Sequence, residues 1–257
     1  MANSKLLIQV EHYLDKNPRM PEAYQRFEHR MDTLDAEVSK WASVVFDDVT
    51  WMELAARRYH QFHLNIKAQH PWQWFAGSTD LLELAMQMGG ALPVITAFAC
   101  HVGQEKDEAA GMILRAPNAP GRLAARQELL SAFSEVYKLN VTRDQEGNII
   151  HLVQTRSDGI WVAQTHIEAP NPCDPHYECL WVNWKGKERP LTKFLVYGDP
   201  GSGKSTFLST FPKPLLVFSF DPFGKEIPYL KHGQVVDAMD ERGTPVRQVF
   251  SVLKKAA

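Results

Sequence analysis

The chain is short of the features that mark membrane and secreted proteins. It contains no run of about 18 apolar residues, the length that a membrane-spanning helix needs, and its first residues form no apolar signal-peptide core. It has only three cysteines, an odd and sparse set that is typical of a reducing compartment and not of a disulfide framework. We therefore expect a cytoplasmic protein with no membrane partner.

The chain also has almost no excess of charge of either sign. Its 28 Lys and Arg residues and 30 Asp and Glu residues give a formal net charge of −2 at pH 7. Global charge therefore does not indicate nucleic-acid binding, which would need a local basic surface. The composition, with 44% apolar and 23% charged residues, is typical of a soluble globular protein.

Continuous apolar segments alternate with segments of helical spacing along the chain. The segments that predict buried strands are Ala42–Phe46, Pro93–Phe98, Phe194–Tyr197 and Pro214–Phe220. Helices are predicted from Pro21 to Lys40 and from Trp51 to Phe62. This alternation is typical of a mostly parallel sheet that is covered on both faces.

A different pattern occupies the middle of the chain. Residues 102–122 are polar and contain Gly and Pro, which predicts a long loop. Val136–Thr142, Ile149–Gln154 and Ile160–Gln164 are alternating segments separated by turn residues, and they predict antiparallel strands. The expected fold class is therefore α/β, with a mostly parallel sheet and an antiparallel extension.

Residues 198–205 match the phosphate-binding pattern G-x-x-x-x-G-K-[ST] at every fixed position. The motif follows the strand Phe194–Tyr197 and precedes a segment that can open a helix, so backbone N–H groups would be directed at phosphate. The residues predicted to hold ATP are Gly198, Asp199, Pro200, Gly201, Ser202, Gly203, Lys204, Ser205 and Thr206. Lys204 would reach the β- and γ-phosphates, and Ser205 would offer its hydroxyl to Mg²⁺.

Polar residues also follow two other predicted strands. Asp47 ends an apolar run, and a phosphate loop needs such a carboxylate to hold Mg²⁺ beside Ser205. Asp48 either polarises a water molecule or caps the following helix. His101 follows the strand Pro93–Phe98, where it would sense the γ-phosphate through a hydrogen bond or serve as a half-buried structural histidine.

The residue that orients the attacking water has three candidates. Asp221 stands at the end of the strand that follows the loop and its helix. Glu226 and Glu105 are the alternatives. Together with Asp48 and His101, Asp221 completes the predicted catalytic group.

Two stretches carry aromatic and basic side chains suited to single-stranded nucleic acid. Trp72 and Trp74 could stack on bases, or they could pack over the end of a helix. Arg115 and Arg122 could line a phosphate track, or they could form a solvated face. Single-stranded DNA is therefore a candidate partner.

These residues together resemble the RecA-like ATPases, in particular small phage-encoded members associated with recombination and single-strand annealing. The resemblance rests on the loop at residues 198–205, the strands ending at Asp47, His101 and Asp221, and the antiparallel tail. It implies a three-layer P-loop NTPase core that binds ATP with Mg²⁺ and hydrolyses it slowly. It further implies action on single-stranded DNA in the host cytoplasm, and a homo-oligomer.

The order of the motifs departs from that family. The phosphate loop follows the Asp47 strand, whereas in the family it comes first. Placing residues 184–257 before residues 1–183 restores the family order, so we predict one domain over residues 1–257 in circularly permuted form, with its two ends close together on the surface. The family often carries a late Lys or Arg that acts across a subunit interface, and here Gln164-Thr165-His166 stands near that place, with Arg156 as a substitute.

The alternative function is an ATP-binding regulatory or interaction module without a DNA role. The near-neutral net charge of −2 favours this alternative.

Overall fold

The computed structural model describes residues 7–64, 87, 91–107, 112–118, 130–221 and 234–237. The strands are β1 (Leu7–His12), β2 (Ser43–Asp47), β3 (Ile95–Cys100), β4 (Val102–Asp107), β5 (Met112–Pro117), β6 (Glu135–Arg143), β7 (Ile149–Gln154), β8 (Lys193–Gly198), β9 (Leu215–Ser219) and β10 (Gln234–Asp237). The α-helices are α1 (Ala23–Leu34), α2 (Val49–Tyr59) and α3 (Lys204–Leu208). Short 3-10 turns at Val38–Lys40 and Tyr177–Trp181 and a π turn at His60–Leu64 complete the regular structure.

Eight of these strands form one sheet in the order β10-β1-β9-β2-β3-β8-β6-β7. The first seven run parallel to one another, and β7 pairs antiparallel with β6 at the edge. The four strands predicted from continuous apolar runs are confirmed as neighbours in the middle of this sheet. The prediction that Pro93–Phe98 flanks the strand before the phosphate loop is also confirmed, because Phe98 lies opposite Leu195.

Apolar side chains cover both faces of the sheet, as the continuous apolar runs require. On one face α1 and α2 pack against a cluster that includes Phe46, Phe98 and Phe218. On the other face α3 and residues 167–184 pack against a second cluster, which includes Val45 and Val196. The α/β class and the antiparallel extension are therefore confirmed, and the arrangement is compatible with three layers.

Local sequence signals place the two longer helices. Asp15 accepts hydrogen bonds from the backbone N–H groups of Glu22 and Ala23 at 2.7 Å each, so α1 begins where a carboxylate satisfies its first donors. Asp48 is itself the N-cap residue of α2, and its Oδ1 atom lies 2.6 Å from the Thr50 nitrogen and 3.2 Å from the Trp51 nitrogen. Both helices then continue along an apolar face that packs on the sheet.

Two predictions in the middle of the chain were wrong. Residues 102–118 are not all loop, because β4 and β5 pair as an antiparallel hairpin in which the backbone groups satisfy one another whatever the polarity of the side chains. Ile160–Gln164 is not a strand and contributes only isolated bridges at Trp161 and Gln164. Asp158 is the reason, since its carboxylate accepts from the backbone nitrogens of Ile160 and Trp161 and holds them in a turn.

Among the helices that the structure describes, none is both long enough and apolar enough to cross a bilayer.

Candidate nucleotide site

The phosphate-binding motif lies where the sheet ends. Strand β8 stops at Gly198, residues 199–203 form the loop, and α3 begins at Lys204. The Ser202 backbone N–H donates to the Asp199 carbonyl at 3.0 Å, which closes the loop into a tight turn. The Lys204 ammonium donates to the carbonyls of Gly198 and Asp199 at 3.0 and 3.3 Å, so its charge lies over the loop that it belongs to.

Two glycines of the motif are required by this geometry. A Cβ atom at Gly198 would lie 2.5 Å from the Ser202 hydroxyl and 2.9 Å from the Leu139 carbonyl of β6. Gly203 caps α3 with a φ of 90°, in the left-handed region that L side chains avoid. The fixed glycine positions of the sequence pattern are therefore explained by close packing at one end of the loop and by backbone conformation at the other.

Asp47 and α3 lie on the same face of the sheet. Side chains alternate between faces along a strand, so Asp47 shares a face with Val45, which packs in the same cluster as Phe207 of α3. Asp47 is 6% exposed at the carboxyl end of β2, and Ser205 stands in the first turn of α3. The carboxylate and the hydroxyl predicted to hold Mg²⁺ are therefore directed to one side of the sheet from different segments.

Asp48 has a different environment although it follows Asp47 directly. Its Oδ1 atom caps α2, and its Oδ2 atom lies 3.1 Å from Nε2 of His101. Burial, followed by the neighbouring Asp47 carboxylate, raises the pKa of Asp48 to about 7, and the Lys204 charge opposes this rise. The capping interpretation of Asp48 is thus correct, and the same carboxyl group also holds an imidazole.

His101 lies just beyond the end of β3, with two contacts that fix its position. Its backbone N–H donates to the Thr50 hydroxyl at 3.2 Å, and its Nε2 atom pairs with Asp48. Burial, followed by the Lys204 charge, lowers the pKa of His101, so the neutral imidazole is favoured. The Nδ1 atom of His101 is buried without a hydrogen-bond partner among the described residues. It is a polar atom that a ligand could satisfy.

Charged groups from separate segments of the chain lie close enough to His101 to shift its pKa. The charges that act on His101 come from Lys204, Asp221, Asp47 and Asp199. Asp221 lies two residues past β9, next to the end of β2, where the Phe220 N–H donates to the Asp47 carbonyl at 2.7 Å. The ends of β8, β3, β2 and β9 thus bring the phosphate loop together with Asp47, Asp48, His101 and Asp221, whereas the alternative Glu105 lies on β4 and Glu226 lies outside the described residues. What each residue does there stays a prediction.

The predicted DNA-binding residues are only partly within the described structure. Trp72, Trp74 and Arg122 lie outside the described residues. Arg115 is on β5, and its guanidinium lies 4.9 Å from the ring centre of Trp161. Lys138 of β6 covers the same ring, with its ammonium 3.1 Å from the centre.

Sequence inspection missed two residues that contact or face the loop. Lys138 is 6% exposed, burial lowers its pKa, and the charge of Asp199 opposes that shift. His151 of β7 lies with Nδ1 2.9 Å from the Ser202 carbonyl oxygen. Both belong to the antiparallel extension, and no local pattern links that extension to the loop. In β7 the signal was His151 within the apolar run Ile149–Val153, whereas β6 carries several polar residues and did not single out Lys138.

The donor set fits a magnesium ion that is shared with phosphate. Mg²⁺ usually keeps several waters and takes one or two protein carboxylates or hydroxyls together with phosphate oxygens. Asp47 and Ser205 are such a set. No group of three or more His, Cys, Asp or Glu residues that could hold a metal occurs within the described part of the chain.

No protein-family model matches this chain, and neither a curated protein nor a solved structure shows significant similarity to it. The function is therefore inferred from the residues of the chain themselves.

Proposed function

We propose that this protein is a RecA-like ATPase that binds ATP with Mg²⁺ and hydrolyses it slowly. One observation carries the proposal: a complete phosphate-loop motif and the strand ends of Asp47, His101 and Asp221 meet at the carboxyl edge of four adjacent parallel strands. Ligands of open α/β sheets bind at this edge. The motif alone would support nucleotide binding, and the convergence of acidic and imidazole groups supports hydrolysis.

The loop would hold the phosphates. The backbone N–H groups of Gly201, Gly203, Lys204 and Ser205 would be the donors, and the Lys204 ammonium would be the countercharge for the β- and γ-phosphates. Ser205 and Asp47 would hold Mg²⁺, which when bound neutralises charge on the phosphate oxygens.

Asp48 and His101 would act as a pair at the γ-phosphate. Two backbone N–H groups and the imidazole already occupy the Asp48 carboxyl group, so its role is to position His101. A protonated Asp48 would donate from Oδ2 to Nε2 of a neutral His101, whose Nδ1–H would then donate a hydrogen bond to the γ-phosphate. Asp221, which is half-buried and next along the edge, would orient the water whose oxygen attacks the γ-phosphorus while the β–γ bridging oxygen leaves with ADP.

The proposed binding partner is single-stranded DNA, which the β4–β5 hairpin would contact. This hairpin leaves the site directly, because β4 begins one residue after His101. It carries the exposed Arg115 beside Trp161, a basic and aromatic pair suited to a nucleic-acid backbone and its bases. The alternative, an ATP-binding regulatory module without a DNA role, is favoured by the net charge of −2.

Phosphate release measured with and without single-stranded DNA tests the proposal. We expect slow, Mg²⁺-dependent release from ATP that Lys204→Ala abolishes and that DNA changes. Absence of release from the wild-type protein would remove hydrolysis from the proposal. A filter-binding series across salt concentrations separates the two alternatives, because true phosphate contacts make affinity fall as salt rises. DNA binding that is absent at every salt concentration would favour the regulatory module.

A further inference from the structure

The edge strand β7 makes a direct hydrogen bond to the phosphate loop. Nδ1 of His151 lies 2.9 Å from the carbonyl oxygen of Ser202. A carbonyl oxygen can only accept, so the hydrogen must be on Nδ1. This contact fixes the tautomer of a neutral His151 and attaches the loop to a strand that is two positions from β8 in the sheet.

The hydrogen bond also sets the direction of a loop N–H group. In a trans peptide the carbonyl and the following N–H point in opposite directions within one plane. The Ser202 carbonyl is directed at His151, so the N–H of Gly203 is directed away from β7. In a phosphate loop the backbone N–H groups are the ligands of the anion, so the orientation of this peptide plane matters for binding.

Close packing supports the same relationship. A Cβ atom at Gly203 would lie 3.2 Å from Nδ1 of His151, so the ring is packed against the loop backbone. A Cβ atom at Gly198 would lie 2.9 Å from the Leu139 carbonyl on β6. The β6–β7 hairpin therefore contacts the phosphate loop at both of its ends, once through backbone and once through an imidazole.

We propose that His151 is a positioning residue for phosphate binding: its Nδ1–H holds the Ser202–Gly203 peptide so that the Gly203 N–H faces the bound phosphates. This inference rests on the proposed function, since it requires that the loop binds a nucleotide. His151 lies on β7 and is not part of the phosphate-loop motif. The antiparallel extension would therefore contribute to the site through a residue that the motif does not include.

Three variants of the 257-residue chain test this role. His151→Leu keeps most of the side-chain volume and removes the donor. In His151→Asn the amide nitrogen is bonded to Cγ, as Nδ1 of histidine is, so an N–H donor is kept at that position. His29→Ala, at an exposed histidine on α1, is the control for loss of a histidine elsewhere. A hydrogen bond contributes a net amount that corresponds to roughly a 3- to 10-fold change in affinity. We expect His151→Leu to lower the affinity for both ATP and ADP by that factor. His151→Asn and His29→Ala should bind both nucleotides with affinities within about 2-fold of that of the wild type.

A second measurement does not depend on turnover. Nitrogen-15 NMR of the nucleotide-free protein should show His151 as the Nδ1–H tautomer, and the Gly203 amide signal should move in His151→Leu but not in His29→Ala. Equal nucleotide affinity in His151→Leu and the wild type, or an Nε2–H tautomer at His151, would overturn the inference. A wild-type protein that binds neither ATP nor ADP would instead overturn the proposed function on which it rests.

Discussion

The central sheet has an amino edge, where its parallel strands begin, and a carboxyl edge, where they end, and Lys193 and His101 are half-buried polar residues with opposite surroundings at the two. At the amino edge, the Lys193 ammonium donates to the carbonyls of Leu92 and Val94 and to the Thr96 hydroxyl, at 2.6, 2.9 and 3.2 Å. At the carboxyl edge, Nδ1 of His101 is buried without a hydrogen-bond partner among the described residues.

Glu135 repeats the amino-edge pattern, since it is fully buried and accepts hydrogen bonds from the Tyr137 hydroxyl and the His166 backbone. The carboxyl edge instead places Asp47 and Asp48 side by side, although adjacent carboxylates repel each other. Polar groups that satisfy one another stabilise the fold, whereas unpaired atoms and like charges cost stability. The Ser43 hydroxyl at the amino edge is also buried without a partner among the described residues, so the contrast lies in the charged groups: Lys193 and Glu135 are paired, whereas Asp47 and Asp48 stand side by side, as we expect of the ligand site proposed above.

The largest expected effect comes from the lysine of the carboxyl edge. Lys204→Ala removes the countercharge for the phosphates, and we expect ATP turnover to fall by at least about 100-fold. The protein should still fold, with the free energy of unfolding lowered by about 1–3 kcal/mol, because the substitution leaves the carbonyls of Gly198 and Asp199 without their buried donor. Phosphate release and urea denaturation measure the two effects. Turnover equal to that of the wild type would show that the loop is not the site.

Asp48→Asn should change how stability depends on pH. The pKa of Asp48 is about 7 in the folded protein and near 4 when unfolded, so the folded state binds the extra proton between these values. The Asp48 contribution therefore falls as pH rises from about 4 to about 7, by at most about 4 kcal/mol, and is constant above that. Asn removes this fall and keeps the helix cap.

Urea denaturation of both proteins between pH 4 and pH 8 measures this effect. The groups that face Asp48 are Asp47, Lys204 and His101, and all three are unchanged in the variant. The lowered pKa of His101 makes stability rise with pH in both proteins, so the comparison depends on the difference between the two curves. Asp48→Asn should gain on the wild type as pH rises. A difference that is constant across this range would contradict the raised pKa.

Lys193→Met is the matched substitution at the amino edge. It leaves the carbonyls of Leu92 and Val94 without their donor, and we expect a loss of about 1–3 kcal/mol in the free energy of unfolding. Lys193 and Gly198 are the two ends of β8, about 16 Å apart at the rise of a strand, so ATP affinity should not change. If Lys193→Met lowered ATP affinity and left the free energy of unfolding unchanged, Lys193 would belong to the ligand site and the distinction between the two edges would be wrong.

The smallest effect is expected from a change of chain order. Strand pairing is set by packing and not by order along the chain, and β10 lies beside β1 in parallel. Joining residue 257 to residue 1 and opening the chain between residues 183 and 184, at the exposed Asn183, should therefore preserve folding and ATP affinity. Failure of that protein to fold would count against the permuted order.

Local patterns predicted the central sheet because its strands are buried on both faces. Ala42–Phe46 and Pro214–Phe220 are apolar apart from Ser43 and Ser219, as strands of a parallel sheet between helix layers require. The phosphate-loop motif was equally easy to predict from the sequence, because the spacing of its glycines within one segment determines its turns. Polar residues that end parallel strands must meet at one edge, so Asp47 and His101 could be assigned to the site before their partners were known.

The remaining features depend on contacts that no segment encodes by itself. The β4–β5 hairpin has a polar sequence that is also typical of a loop, and only the pairing of its two halves distinguishes them. The hydrogen bond of His151 to Ser202 follows from the position of β7 in the sheet, which tertiary packing determines. The Trp161 ring between Arg115 and Lys138 likewise joins three separate segments.

The affinity for ATP with and without Mg²⁺, in the wild type and in Asp47→Asn, tests the central claim most directly. The claim is that Asp47 and Lys204, which come from distant parts of the chain, serve one magnesium–ATP site. Calorimetric titration should show ATP binding that Mg²⁺ tightens in the wild type. Asp47→Asn should bind metal-free ATP at least as well as the wild type and lose most of the tightening, because a carboxylate ligand is gone. No ATP binding by the wild type, or equal tightening in both proteins, would contradict the account.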